Sequence, residues 1–352
     1  MLFTGQAGSR QMEETAESQL AISGISHRRT IFRSAGMNPF MELMGLSQLI
    51  WFLLRFKPDL VHCASPKGVL YGGIAARLCG VRGLVLAVSG MGYAFTNDAG
   101  NASRGFVRGI YTSLASFAFH HSNVHVIVQN MDDYFSLLER KLANEEQLSL
   151  IPGSGVDLSL YANCDATHKE FIVLLPARML RDKGVSEFVD TARLVKQVAP
   201  SWRFVLAGAA DCDNPTAIPE ADLQRWQVEG VVEWLGHVEN MVPWFQKAAI
   251  VCLPSYREGL PKALLEAAAA SCAVVTTDVT GCREAIAPGK SGDLVPARDS
   301  GILAETLLSL IIDKTKRIRY GNYGRQRACS LFSIESVVGR TIDIYKGLLK
   351  DD

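Results

Sequence analysis

The 352-residue chain carries no net charge, with 36 Lys and Arg against 36 Asp and Glu. A dedicated nucleic-acid binder needs a basic excess, so that class is set aside. Its eight cysteines include no Cys-x-x-Cys pair and are scattered through apolar segments, as at Cys63, Cys252 and Cys272. That pattern fits free thiols in a reducing compartment and excludes a disulfide framework or a zinc finger. No apolar run approaches the ~18 residues of a spanning helix. The run Leu49–Leu54 is far too short. No signal-peptide pattern, tandem repeat or low-complexity segment stands out, and a cytoplasmic protein is expected. His27, His120, His121, His125 and His168 lack paired-ligand spacing, and no metal site is expected.

What the chain does have is length for two domains and 48% apolar residues, enough for a core in each. Short apolar runs alternate with helical stretches from end to end. In the first half the runs are Met1–Thr4, Thr30–Phe32, Asp59–Cys63, Gly83–Val88 and Val124–Val128. The second half has Phe171–Pro176, Arg203–Ala207, Val231–Leu235, Ala249–Leu253 and Ala273–Thr277. Such alternation predicts mostly parallel sheets covered on both faces, with ligands at the C-terminal strand ends. One helix is expected from Asn38-Pro39 to Lys57, with Leu43, Leu46, Leu49, Ile50, Leu53 and Leu54 at helical spacing and read mainly as core. The turn-rich, then irregular stretch Ile151–Lys169 marks the domain boundary.

The most informative stretch runs from Leu253 to Thr277. A buried strand gives way to the polar turn Pro254–Leu260, and Pro261 suits the first turn of a helix through Cys272. Gly259 and Leu260 sit where free N–H groups and the helix dipole favour an anion. Glu258 and Glu266 bracket the feature, roughly 12 Å apart along the axis and about 80° apart around it. That spans a ribose and a hexose across a diphosphate. The plainer alternative is a pair of solvated glutamates. After the first strand of the same half, Arg178 and Lys183 lie in one loop, two cations able to neutralise a diphosphate.

Glu258, seven residues and Glu266, together with Gly259 and Pro261, resemble the signature of family-four retaining glycosyltransferases. The resemblance implies an α/β protein of the GT-B fold, two Rossmann-like domains facing across a cleft. It implies a nucleotide sugar as donor, most simply a UDP-sugar, with no further cofactor. Glu258 would hold the donor sugar, Glu266 the ribose, and Arg178 and Lys183 the diphosphate. Leu235–Asn240 resembles the loop that receives the base, which backbone groups near Val238 would read. His62–Leu70 with Lys67, Ser89–Thr96 with Gly90, Gly92 and Tyr93, and Gln129–Asp133 resemble the acceptor side of the bacterial branch that extends lipid-linked saccharides. Ser89 departs from the His that many members carry there.

The domains expected on this basis are 1–160 on the acceptor side, 161–332 for the nucleotide sugar, and a final helix, 333–352, crossing back. Relatives of this type open with a strand, a glycine turn and a helix before the segment that Leu2-Phe3-Thr4 resembles. The first domain is therefore expected to lack its opening strand and helix, either because the true start lies upstream of Met1 or because the protein is shortened. Five Lys and Arg against one acid between Cys63 and His121, with the wide apolar surface of Leu43–Phe56, predict reversible contact with the cytoplasmic face of the inner membrane. The implied acceptor is a polyprenyl-diphosphate-linked saccharide. A transferase with a soluble acceptor and a non-catalytic nucleotide-sugar-binding module are the alternatives.

Overall fold

The structure, a computed structural model, describes residues 1–6, 10–33, 38–89, 112–211 and 214–350. They form two compact units. The first holds Met1–Ile127, Leu137–Ser149 and Ile344–Asp352, and the second holds Val128–Ser136 and Leu150–Asp343.

In the first unit β1 (Leu2–Gln6), α1 (Arg10–Ile22) and β2 (His27–Arg33) lead into α2 (Pro39–Phe56). β1 and β2 pair in parallel as a two-stranded sheet. Then follow β3 (Leu60–Ala64), a π-turn at Gly68–Gly72, α3 (Gly73–Leu78), β4 (Gly83–Val88), a helix α4 at 112–119, β5 (Val124–Val128), α5 (Met131–Glu139), whose residues up to Ser136 belong to the second unit, and β6 (Leu148–Leu150), which ends in it. These strands make a second sheet in the order β3-β4-β5-β6. Leu84, Val85 and Leu86 of β4 are fully buried, as an apolar run covered on both faces requires.

Asn38 caps α2 through its side chain, and Pro39 follows where a missing N–H costs nothing. The helix forms as expected, but its burial differs from the sequence reading. Phe52 and Leu53 are in the core, whereas Leu43 and Leu54 are exposed along with Phe40, Met44 and Trp51. Helical spacing identifies a stripe, and only the packing says which stripe faces inward. The apolar stripe Phe40, Leu43, Met44, Trp51 and Leu54 faces out.

The second unit is built on β7 (Glu170–Pro176), α6 (Val185–Val198), β8 (Arg203–Ala207), α7 (Glu220–Val228), β9 (Glu233–Trp234), α8 (Val242–Lys247), β10 (Ala248–Leu253), α9 (Lys262–Ala269), β11 (Ala273–Thr277), α10 (Cys282–Ala285) and β12 (Gly292–Val295). α11 (Ser300–Ile312), α12 (Lys314–Arg327) and α13 (Ile334–Leu349) follow, the last belonging to the first unit from Ile344 on. The six strands are ordered β12-β11-β10-β7-β8-β9, every neighbouring pair parallel. Alternate residues feed two separate cores. Val173, Leu175, Phe204, Leu206, Ile250 and Cys252 point to one face. Ile172, Leu174, Val205, Ala207, Val251 and Leu253 point to the other. β9 keeps only two of the five residues expected for it, because it is the sheet edge and pairs with β8 alone.

Candidate active site

The strand order fixes where a ligand goes. The chain starts at β7, builds outward through β8 and β9, then returns to add β10, β11 and β12 on the other side. Successive connections therefore diverge between β7 and β10, and the loops leaving their C-terminal ends splay apart to leave a crevice. Those are the loops that carry Arg178 and Lys183, and Glu258.

After β7 the chain makes a 3-10 turn, Arg181–Lys183, and enters α6 through Gly184 at φ 71°. After β10 it makes the turn Pro254–Leu260 and enters α9 with Pro261 as the N-cap rather than inside the first turn, and the helix ends at Ala269, short of the expected Cys272. A Cβ on Gly184 would lie 2.2 Å from the Pro254 carbonyl oxygen, so only glycine lets the two loops touch. The Lys183 ammonium donates to Glu258 Oε1 at 2.6 Å, and the two side chains are 21% and 12% exposed. The fully buried Ser255 hydroxyl donates to the same oxygen at 2.8 Å, and the Thr277 hydroxyl donates to the Ser255 carbonyl. The turn after β11 closes the third side. Gly281, at φ 80°, is so close that a Cβ would lie 2.3 Å from the Gly259 carbonyl oxygen. The buried Asn130 amide donates to that same oxygen at 3.1 Å and to Asp133 at 2.8 Å.

The other expected residues fall around this centre. Leu260 is buried against the α9 core. Val238 packs, half-buried, on the same core, in the loop after β9. Glu266 is a half-buried carboxylate on α9, 3.7 Å from Lys262 of the preceding turn, and burial raises its pKa above the ordinary value. Arg178 turns elsewhere. Its guanidinium is mostly exposed and donates to Asp211 in the loop after β8, at 2.7 Å. In the first unit, Lys67 donates to Glu42 of α2 at 2.6 Å. Gly90, Gly92 and Tyr93 lie outside the described residues.

Two further features bear on the site. Asp211-Cys212-Asp213 has Asp-x-Asp spacing, the arrangement of many metal-binding carboxylate pairs. Asp211 is committed to Arg178, and Cys212 and Asp213 lie outside the described residues. Tyr256 is the second. Its N–H donates to the Asp182 carbonyl and its hydroxyl to Glu187 Oε1, contacts across 74 and 69 residues of chain that no local pattern reveals.

Residues 170–313 match the family described as Glycosyl transferases group 1, and residues 12–130 match Glycosyl transferase 4-like. The N,N'-diacetylbacillosaminyl-diphospho-undecaprenol alpha-1,3-N-acetylgalactosaminyltransferase of Campylobacter jejuni is 28% identical, over 91% of this chain and 85% of that protein. The UDP-Gal:alpha-D-GlcNAc-diphosphoundecaprenol alpha-1,3-galactosyltransferase of Escherichia coli is 24% identical, over 86% of this chain and 79% of that one. The crystal structure of Anabaena HepE in complex with UDP superposes with a TM-score of 0.77 at 17% identity, covering 98% of this chain and 92% of that one. Two matched halves, relatives that align along most of their length, and a shared architecture lead to one conclusion: the chain belongs to the family-four glycosyltransferases and has the GT-B fold.

Proposed function

We propose that the protein transfers a hexose from a UDP-sugar to a polyprenyl-diphosphate-linked saccharide, with retention at the anomeric carbon. The observation that carries this reading is the Lys183–Glu258 pair at the point where the β7 and β10 loops diverge. A cation and a carboxylate at one spot suit a diphosphate and a sugar hydroxyl respectively. On donor binding Lys183 turns to the diphosphate and Glu258 to the sugar, so each exchanges one charge-assisted bond for another. The anomeric carbon–phosphate oxygen bond breaks, and the acceptor hydroxyl attacks from the same face. Its proton passes to the departing phosphate oxygen. Lys183, with Arg178 released from Asp211, neutralises the charge that develops there. No protein nucleophile is needed.

Glu266 holds the ribose in this reading, backbone groups near Val238 read the base, and the N–H groups of Gly259 and Leu260 face the phosphates. The names of the Campylobacter and Escherichia relatives, which specify undecaprenol-linked acceptors and in one case UDP-Gal, support the substrate classes. Residues 1–160 take the acceptor, through Lys67, Gly90, Gly92 and Tyr93, and 161–332 take the donor. Isothermal titration tests the donor half. Wild type is expected to bind UDP, and Glu266→Ala to bind it at least tenfold more weakly, since hydrogen bonds to a charged group are worth about 1.5–3 kcal/mol. Equal affinities would remove Glu266 from the site.

The protein works at the cytoplasmic face of the inner membrane through reversible contact. Among the described residues no helix is long and apolar enough to cross a membrane. The outward stripe of α2 supports surface contact instead, with Trp51 60% and Leu54 57% exposed and Arg55 and Lys57 at its end. Near an anionic bilayer each basic residue adds about 1 kcal/mol, lost as salt rises. Co-sedimentation with anionic vesicles is therefore expected at low salt, weaker at high salt and weaker again for Leu54→Glu. No sedimentation at low salt would contradict the membrane reading.

A further inference from the structure

We infer that Tyr256 is a positioning residue for the transfer step: bonded to Glu187, it keeps the Lys183 loop and the Glu258 turn at one spacing while the donor occupies both charged groups. The inference rests on the donor-site reading above. Without donor, the Lys183–Glu258 bond itself ties the two loops together. Once Lys183 turns to a diphosphate and Glu258 to a sugar hydroxyl, that tie is gone at the moment when its spacing matters most.

Tyr256 supplies ties that the donor does not touch. Its backbone N–H donates to the Asp182 carbonyl at 2.9 Å, one residue before Lys183. Its hydroxyl donates to Glu187 Oε1 at 2.5 Å, in the first turn of α6. Burial, reinforced by the Glu187 carboxylate, pushes that hydroxyl up to about 12, so it remains a donor at every working pH. The guanidinium of Arg298 lies 4.5 Å from the ring centroid, from the loop between β12 and α11. Arg298 has φ 64°, a left-handed conformation that costs a non-glycine residue free energy and that clusters at functional sites.

Glu187 shows how much depends on this bond. Its second carboxylate oxygen is buried and has no partner among the described residues. The Tyr256 hydroxyl is thus the one hydrogen-bond donor that the carboxylate has there. A buried carboxylate oxygen left without a donor costs free energy that water would otherwise recover. Packing alone would be served by Phe at 256 and an apolar residue at 187. The polar pair adds direction: it fixes the angle at which the 254–260 turn leaves β10, and with it the place of Glu258.

The test compares Tyr256→Phe, Glu187→Ala, Glu187→Gln and Lys183→Ala in one transfer assay, with UDP affinity and thermal midpoint measured for each. Misplacement of reacting groups by about an ångström costs up to roughly a hundredfold in rate. Tyr256→Phe is accordingly expected to lower kcat at least tenfold, with UDP affinity within about twofold of wild type. Glu187→Ala should match it, and Glu187→Gln, which keeps an acceptor for the hydroxyl, should recover most of the loss. Wild-type kcat in Tyr256→Phe, or a loss that follows only UDP affinity or the thermal midpoint, would overturn the proposal. Full activity in Lys183→Ala would overturn the donor-site reading and this proposal with it. An impaired Lys183→Ala beside a fully active Tyr256→Phe would overturn the positioning role alone.

Discussion

Lys183→Ala and Glu258→Ala are each expected to lower transfer turnover by more than tenfold, with Glu258→Ala leaving UDP affinity nearly unchanged. Each change removes one charge-assisted contact, worth about 1.5–3 kcal/mol. For Lys183 the larger part is lost in the transition state, because negative charge grows on the departing diphosphate as the sugar leaves. Its loss should therefore appear in kcat as well as in kcat/KM. The fold should tolerate either change, since neither group is left in a closed core. In Lys183→Ala the Glu258 carboxylate keeps the Ser255 hydroxyl at 2.8 Å. Steady-state kinetics at saturating donor, with UDP titration alongside, checks both expectations. Wild-type turnover in either variant would remove that residue from the site.

The largest stability effect is expected at Gly184. Its φ of 71° is left-handed, and a Cβ there would sit 2.2 Å from the Pro254 carbonyl oxygen and 2.7 Å from the proline ring. Gly230 makes an internal control, for it has the same φ of 71° with nothing within 4 Å of its Cβ position. Gly230→Ala should cost only the dihedral penalty, about 1–2 kcal/mol. Gly184→Ala adds a clash with backbone that must push the two site loops apart, and should cost roughly 1–3 kcal/mol more. It should also depress transfer, which Gly230→Ala should not. Denaturant unfolding of the two variants measures the difference. Equal destabilisation would show that the contact between the β7 and β10 loops is not tight.

Much of this was legible in the sequence because it is local. Runs such as Ile172–Leu175 and Ile250–Leu253 are apolar at every position, as a strand covered on both faces requires, and are too short for a helix. Pro261 and the Ala-rich stretch after it announce a helix start, and Glu258 and Glu266 stand out there only in combination with Gly259 and Pro261, through the resemblance to the family signature. What stayed hidden depends on packing or on distant pairs. Which stripe of α2 faces the core is decided by neighbours such as Phe3, whose ring stacks on Phe52. The short strands β6 and β12 have too few residues to show a period. The partners of Arg178, Lys183 and Tyr256 lie 33, 75 and 69 residues away, beyond the reach of any local rule.

The most direct test of the donor-site account follows label from UDP-hexoses into a polyprenyl-diphosphate-linked saccharide, with wild type and Lys183→Ala side by side and the anomeric configuration of the product read by NMR. The account expects a lipid-linked product from wild type with the configuration of the donor sugar retained, and more than tenfold slower formation by the variant, the loss set by one charge-assisted contact. An inverted product, or a variant as fast as wild type, would contradict it.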